Sequence, residues 1–207
     1  MIGYKASIIL CLISVLNLVS CTAYKSFDYS QIDYSGADGC QPFNIGHRLG
    51  GDLPGNTDNT LAAMYRVAEQ QHACFKYWEF DINQTSEELV LWHDIRLEGE
   101  LLLRLSRSKL PPYTVSAEEF VTAFKTVRVT RPVVIDLKLI PDRALWPKLL
   151  QLARTIQLQH GVPVWFITSD LLVELYADLC PLLADEFDIR LYGGRGDFCH
   201  LVSASVE

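Results

Sequence analysis

The feature that most constrains this chain is an alternation, from Pro42 onward, of short apolar runs with longer stretches of helical period. The runs are Phe43–Arg48, Tyr77–Asn83, Glu88–Asp94, Val133–Leu139 and Val162–Thr168, then a weaker Phe187–Tyr192 and a last one near Phe198–Ala204. Between them, Asp58 is placed to cap a helix carrying Leu61, Met64, Tyr65 and Ala68 on one face. Ser116-Ala117-Glu118-Glu119 reads as a capping box opening a helix with Phe120, Ala123, Phe124 and Val127. Asp142 starts another, carrying Leu145, Leu149, Leu152 and Ile156, and Ser169 or Asp170 starts a fourth that Pro181 stops. Strands alternating with helices predict a parallel sheet covered by helices. The exception is Gln84 to Glu87, a tight polar turn that joins the strands on either side of it directly.

The chain has 207 residues, 49% of them hydrophobic, enough for one domain with a sizeable core. Its net charge of -7 excludes the basic footprint of a nucleic-acid binder, and no late apolar stretch is long enough to span a bilayer. The start is a unit of its own. Lys5 precedes the apolar run Ala6–Val19, and Leu18-Val19-Ser20-Cys21 ends it, which predicts a secretory leader over residues 1–20. The closing tetrapeptide resembles a lipobox, in which Cys21 is diacylated and becomes the new N-terminus; a plain leader cut nearby is the other reading. Thr22 stands where an inner-membrane retention aspartate often lies. The expectation is therefore a lipid-anchored protein of the bacterial cell envelope, at the outer membrane or periplasmic face. Residues 21–41, rich in Tyr, Ser, Asp and Gly, read as a tether, and 42–207 as the folded domain.

The strand ends carry the chemistry. In Trp78-Glu79-Phe80-Asp81-Ile82-Asn83 the period of two puts Glu79, Asp81 and Asn83 on one face. Buried carboxylates need neutralising, and a hard divalent cation with oxygen ligands would do so; an edge strand with a solvated face reads equally well. Asp136 and Lys138 share a face of the next apolar run, either as a local ion pair or as a further ligand beside a cation that holds a phosphate oxygen. His47 and His93 close two other runs, as structural histidines or as an acid–base pair acting near neutral pH. Arg48 adds a fork suited to phosphate.

Taken in order, Gly46-His47-Arg48, Asp58-Asn59-Thr60-Leu61-Ala62-Ala63, Glu79-Phe80-Asp81-Ile82, His93-Asp94 and Asp136-Leu137-Lys138 resemble the signature of the glycerophosphodiester phosphodiesterases. Pro112 to Glu119 resembles that family's leucine–glutamate helix entry. The resemblance covers about Phe43 to Ser169. It implies an α/β fold, a (β/α) TIM-type barrel with its site at the C-terminal ends of the strands. It also implies cleavage of a small-molecule glycerophosphodiester to glycerol 3-phosphate and an alcohol, dependent on Ca²⁺ or Mg²⁺. His47 and His93 match the catalytic histidines, Arg48 and Lys138 the phosphate-binding cations, and Glu79, Asp81 and Asp136 the metal ligands.

The chain departs from the pattern in places. Leu49 replaces the glycine after the arginine, Asp58 replaces a glutamate, and Asp136 is one methylene shorter than the usual ligand. A complete barrel takes roughly 200 residues or more, so a barrel short or incomplete at its C-terminus is expected. These departures leave open a catalytically impaired member serving as a binding or structural lipoprotein. A related phosphodiesterase acting on lysophospholipid or phosphoinositol headgroups is also open. Of the cysteines, Cys40 and Cys74 precede neighbouring strands and suit one bridge, with Cys180–Cys199 as the other; buried free thiols are the alternative.

Overall fold

The computed structural model describes residues 46–51, 53, 55–69, 75–169, 171–183, 189–193, 196–197 and 199. The expected leader, Cys21, the tether, Cys40, Cys74 and nearly all of the last apolar run lie outside the described residues.

The strands are β1 (Trp78–Gln84), β2 (Leu89–Leu91), β3 (Arg96–Leu97), β4 (Glu100–Leu101), β5 (Val115–Ser116), β6 (Val133–Leu137), β7 (Val164–Ile167), β8 (Ile189–Gly193) and β9 (Gly196–Asp197). The helices are α1 (Leu61–Glu69), α2 (Ala117–Phe124), α3 (Trp146–His160) and α4 (Cys180–Leu183). The main sheet has seven strands in the order β5-β2-β1-β6-β7-β8-β9, while β3 and β4 form a separate ribbon. Its centre, β1-β6-β7-β8, is parallel throughout. β2 runs back antiparallel along β1, with Ile82 opposite Leu91 and Gln84 opposite Leu89. The turn between them is closed by Thr85, whose Oγ1 accepts from the N–H groups of Glu87 (3.2 Å) and Glu88 (3.0 Å). So short a connection makes a hairpin, because a parallel crossover needs a dozen residues or more.

The result is a mixed α/β fold with a parallel core. The expected barrel is not a closed cylinder: β5 and β9 end the sheet, and no pairing among the described residues joins them. Both end strands are only two residues long, which blunts the edges.

The pleat divides the sheet. Trp78, Phe80, Ile82, Ile135, Leu137, Val164 and Phe166 point to the helix-covered side and are buried there with Phe120 and Phe124 of α2 and Leu149, Leu152 and Ile156 of α3. The Phe80 and Phe120 rings lie 4.4 Å apart, and Trp78 meets Phe124 edge-on at 5.5 Å. Each such side chain contributes about 1.5–3 kcal/mol on burial. Glu79, Asp81, Asn83, Val134 and Asp136, at the alternate positions, face the other way.

The Ser116 capping box forms as the sequence predicts: Ser116 Oγ accepts from Glu119 N–H, and the Glu119 carboxylate accepts from Ser116 N–H. Asp142 Oδ1 accepts from Ala144 N–H (2.9 Å), opening a short turn that leads into α3. Other expectations need correcting. Helix α1 begins at Leu61, and its cap is Thr60, whose Oγ1 accepts from Ala63 N–H (3.2 Å); Asp58 is turned out of register by the left-handed Asn59 (φ 55°). Pro181 does not stop the fourth helix. Val173–Leu179 is a 3-10 segment, and Pro181 sits in the first turn of α4, where its missing N–H costs no helical bond. The first apolar run, of which Phe43–Ile45 lie outside the described residues, continues as a 3-10 turn over His47–Gly50. Cys180 and Cys199 form a disulfide, with Cα atoms 5.0 Å apart. No helix among the described residues is long and apolar enough to cross a membrane.

Candidate active site

The turn at Gly46–Gly51 delivers His47 and Arg48 to the face of the sheet that carries Glu79 and Asp81. Gly46 O accepts from Glu79 N–H (3.0 Å), so the turn lies directly against β1. Only glycine fits there, since a Cβ at Gly46 would come within 2.2 Å of Tyr77 O and 2.6 Å of the Phe75 ring. Arg48 and Leu49 then both adopt left-handed backbone (φ 48° and 58°), a conformation that costs a non-glycine residue of order 1–3 kcal/mol. Leu49 buries its whole side chain in the core, which offsets the strain a glycine would have avoided.

The strained turn aims the Arg48 N–H at Glu79 Oε2 (2.7 Å). The Arg48 guanidinium donates through Nη1 to Asp58 Oδ2 (2.7 Å), and its Nε lies 4.0 Å from Asp81 Oδ2. His47 Nε2 lies 3.6 Å from Glu79 Oε2.

Glu79, Asp81 and Asp136 meet because β1 and β6 are in register, with Asp81 directly opposite Asp136. One carboxylate oxygen from each lies within 4.8 Å of the others. Asp81 is held on both sides. Asn59 Nδ2 donates to its Oδ2 (2.7 Å), Asn59 Oδ1 accepts from its N–H (3.1 Å), and Lys138 Nζ lies 2.8 Å from its Oδ1. The same Nζ is 2.7 Å from Asp136 Oδ2.

The electrostatics follow from this crowding. Burial, then the neighbouring Asp81, push the Glu79 carboxyl well above the usual carboxylate range, against the pull of the Arg48 N–H. Burial also raises Asp136, with Lys138 opposing and Asp81 assisting. For Lys138, burial works to lower the ammonium, but Asp81 and Asp136 together outweigh it and hold it above its ordinary value. The negative charge of the cluster therefore exceeds what Lys138 neutralises. Three hard oxygen donors within 4.8 Å could together hold a metal ion.

His93 comes in from the hairpin side. It follows the antiparallel β2, beyond the tight turn that the sequence predicts, and the intervening Trp92 donates its N–H to Asp81 O (3.2 Å). Asn83 Nδ2 holds the Asp94 carbonyl (2.9 Å), fixing the loop. His93 Nδ1 is 2.8 Å from Asp94 Oδ1, and its charge is near enough to Asp136 to favour that residue's ionised form.

Glu79, Asp81, Asp136, Lys138, Arg48 and His47 thus meet around the β1–β6 register point, while the His93 ring contacts Asp94. Cys21 is outside the described residues. Sequence reasoning missed Asn59 and Asp58 as members of this network; an Asx pair just before an apolar helix signals a cap more strongly than a ligand clamp. A cavity of about 380 Å³ among the described residues lies elsewhere, on the helix-covered side between α2 and α3, lined by Leu89, Val121 and Leu152 among others.

No family model matches the chain. No curated protein matches it either. Solved structures do. A protein from Galdieria sulphuraria, named provisionally as a glycerophosphodiester phosphodiesterase, aligns over 72% of this chain and 62% of its own, with a TM-score of 0.55 at 20% identity. A glycerophosphodiester phosphodiesterase from Parabacteroides distasonis aligns over 68% and 60%, with a TM-score of 0.49 at 16% identity. One from Agrobacterium tumefaciens aligns over 74% and 96%, at 0.36 and 13%. The likeness to the Galdieria protein is one of fold. In the first two alignments this chain spans about three-fifths of the other protein's length.

Proposed function

We propose that the protein is a metal-dependent phosphodiesterase that hydrolyses small glycerophosphodiesters to glycerol 3-phosphate and an alcohol. The observation that carries this is the meeting of Glu79, Asp81 and Asp136 beside Lys138 and Arg48, with His47 against Glu79 and His93 within electrostatic reach of Asp136. Glu79, Asp81 and Asp136 would hold the cation, Ca²⁺ or Mg²⁺, which when bound supplies positive charge to a phosphoryl group. Arg48 and Lys138 bind the phosphoryl oxygens and stabilise the charge that builds on them. Asp58 keeps the Arg48 fork from swinging away. One imidazole takes the proton of the attacking hydroxyl, and the other gives a proton to the oxygen leaving phosphorus. Asp94, on His93 Nδ1, fixes the tautomer that leaves Nε2 for proton transfer.

Calorimetric titration with Ca²⁺ and Mg²⁺, followed by glycerol 3-phosphate release with and without chelator, tests the reading. His47→Ala and His93→Ala are each expected to lower turnover by about 10²-fold or more with an unchanged melting transition; full activity in either removes its assigned role.

A second reading has its own observation. Lys138 Nζ already contacts Asp81 and Asp136, so the cluster carries a partial internal counter-ion. A protein that has lost catalysis and binds phosphodiesters in the envelope would give metal and ligand binding without turnover. Profiling against lysophospholipids and phosphoinositols separates the related headgroup phosphodiesterases. The proposal extends to a mature domain over 42–207, tethered by 21–41 to a diacylated Cys21 after removal of residues 1–20. That places it at the outer membrane or periplasmic face; Cys21→Ala moving the protein from the detergent phase to the aqueous phase is the check.

A further inference from the structure

The segment that follows β6 carries Lys138, and its backbone is gripped by two buried aromatic side chains, one from the next helix and one from a distant element. Tyr176, in the 3-10 segment Val173–Leu179, is fully buried. Its hydroxyl accepts from Ile140 N–H (3.1 Å) and donates to Lys138 O. Trp146, at the start of α3, donates its indole N–H to Ile140 O (3.2 Å). The two rings face each other at 6.2 Å. On its other side the same segment is tied to β1 through Lys138 N–H to Ile82 O (2.9 Å).

This arrangement is unusual for a loop. Backbone polar groups just past a strand end are ordinarily satisfied by water or by the next turn. Here a phenol and an indole hold them at Lys138, the proposed phosphate cation, and at Ile140 two residues on. A hydroxyl that both accepts from one backbone group and donates to another fixes the local chain path more tightly than either bond alone. The long Lys138 side chain has large rotamer freedom, and an anchored Cα adds to the two carboxylates in limiting where its ammonium can go.

We propose that Tyr176, assisted by Trp146, is a positioning residue that sets Lys138 for its place between Asp81 and Asp136 and for contact with a bound phosphoryl oxygen. Only the last step, from Lys138 to substrate, rests on the phosphodiesterase reading. The grip extends further along the chain. Cys180 follows the 3-10 segment directly, and its bridge to Cys199 fastens the end of the element that carries Tyr176.

The test uses the full chain and Tyr176→Phe, which removes the hydroxyl and keeps the ring. Competitive trace acylation with acetic anhydride, read by mass spectrometry, reports the freedom of each lysine. Lys138 labelling is expected to rise about fivefold, the loss of roughly one hydrogen bond's worth of restraint, while the exposed Lys148 stays unchanged as internal reference. Unchanged Lys138 labelling in a folded Tyr176→Phe protein overturns the proposal. If that variant does not fold, Trp146→Phe, which removes the bond to Ile140 O and trims the buried ring, is expected to shift Lys138 labelling in the same direction by a smaller factor; no shift overturns it equally. In hydrolysis, Tyr176→Phe is expected to raise KM for the phosphodiester more than it lowers kcat, and to have no further effect in a Lys138→Met background. An equal effect in both backgrounds would make Tyr176 merely structural. Raised labelling in a protein that hydrolyses nothing would keep the positioning role and discard the phosphodiesterase.

Discussion

Removing the Asn59 side chain is expected to destabilise the protein by about 3 kcal/mol, from separable sources. Asn59→Ala deletes a bond from Nδ2 to the Asp81 carboxylate (2.7 Å), and a bond to a charged acceptor contributes about 1.5–3 kcal/mol. It also leaves the buried Asp81 N–H without its partner at 3.1 Å, a loss of about 1–3 kcal/mol where water cannot reach. The backbone adds a further share, because φ at this position is 55° and alanine there costs roughly 1–2 kcal/mol. These overlap, so the sum is an upper bound. Asn59→Gly separates them: it loses the same bonds but relaxes the backbone, and should recover about 1 kcal/mol relative to alanine. Urea unfolding under non-reducing conditions with chelator present measures both, provided the slope with denaturant is unchanged. A cost below about 1 kcal/mol for alanine would refute the clamp. Equal stabilities for alanine and glycine would refute the backbone contribution.

Lys138→Met is expected to bind a divalent cation about tenfold more tightly, since the ammonium that competes for Asp81 and Asp136 is gone, while affinity for glycerol 3-phosphate falls; calorimetry of both ligands checks the opposing signs. The metal-free protein is expected to lose stability as pH rises from about the ordinary glutamate value of 4.5 through the raised Glu79 value, because the native state holds that proton more firmly than the unfolded chain does. Glu79→Gln should flatten the slope, and saturating cation should flatten it in the parent, both read from melting temperature against pH; an unchanged slope in the variant would refute the assignment to Glu79.

Much of the scaffold was legible. β1, β6 and β7 are apolar runs bounded by turn residues, and the Ser116 box is a local signal that depends on nothing distant. Glu79 and Asp81 were legible as a pair because two buried carboxylates on one strand face demand a reason, and Asp136 through the family resemblance. What the sequence hid was long-range or conformational. Asn59 reads as a turn residue, and nothing nearby shows that its amide closes on a strand more than twenty positions away (|i−j| = 22). Thr60 and Asp58 are both good caps, and the choice between them was made by the left-handed turn at Asn59. Tyr176 carries no local signal of its role: it is buried in the core, yet its hydroxyl finds the backbone of Lys138 and Ile140. The short β3, β4 and β5 are too brief to show a period.

The hairpin from β1 into β2 has a consequence for how the reaction centre comes into being. Because β2 doubles back, the first two acids and one imidazole belong to a single ribbon whose ends meet with little chain to close. Their mutual spacing depends on pairing within that ribbon, whereas Asp136 and Lys138 reach it only through the longer-range pairing of β6 with β1. Changes at the far edge, around β8 and β9, can therefore reshape what surrounds the ribbon while the spacing inside it stays as it was.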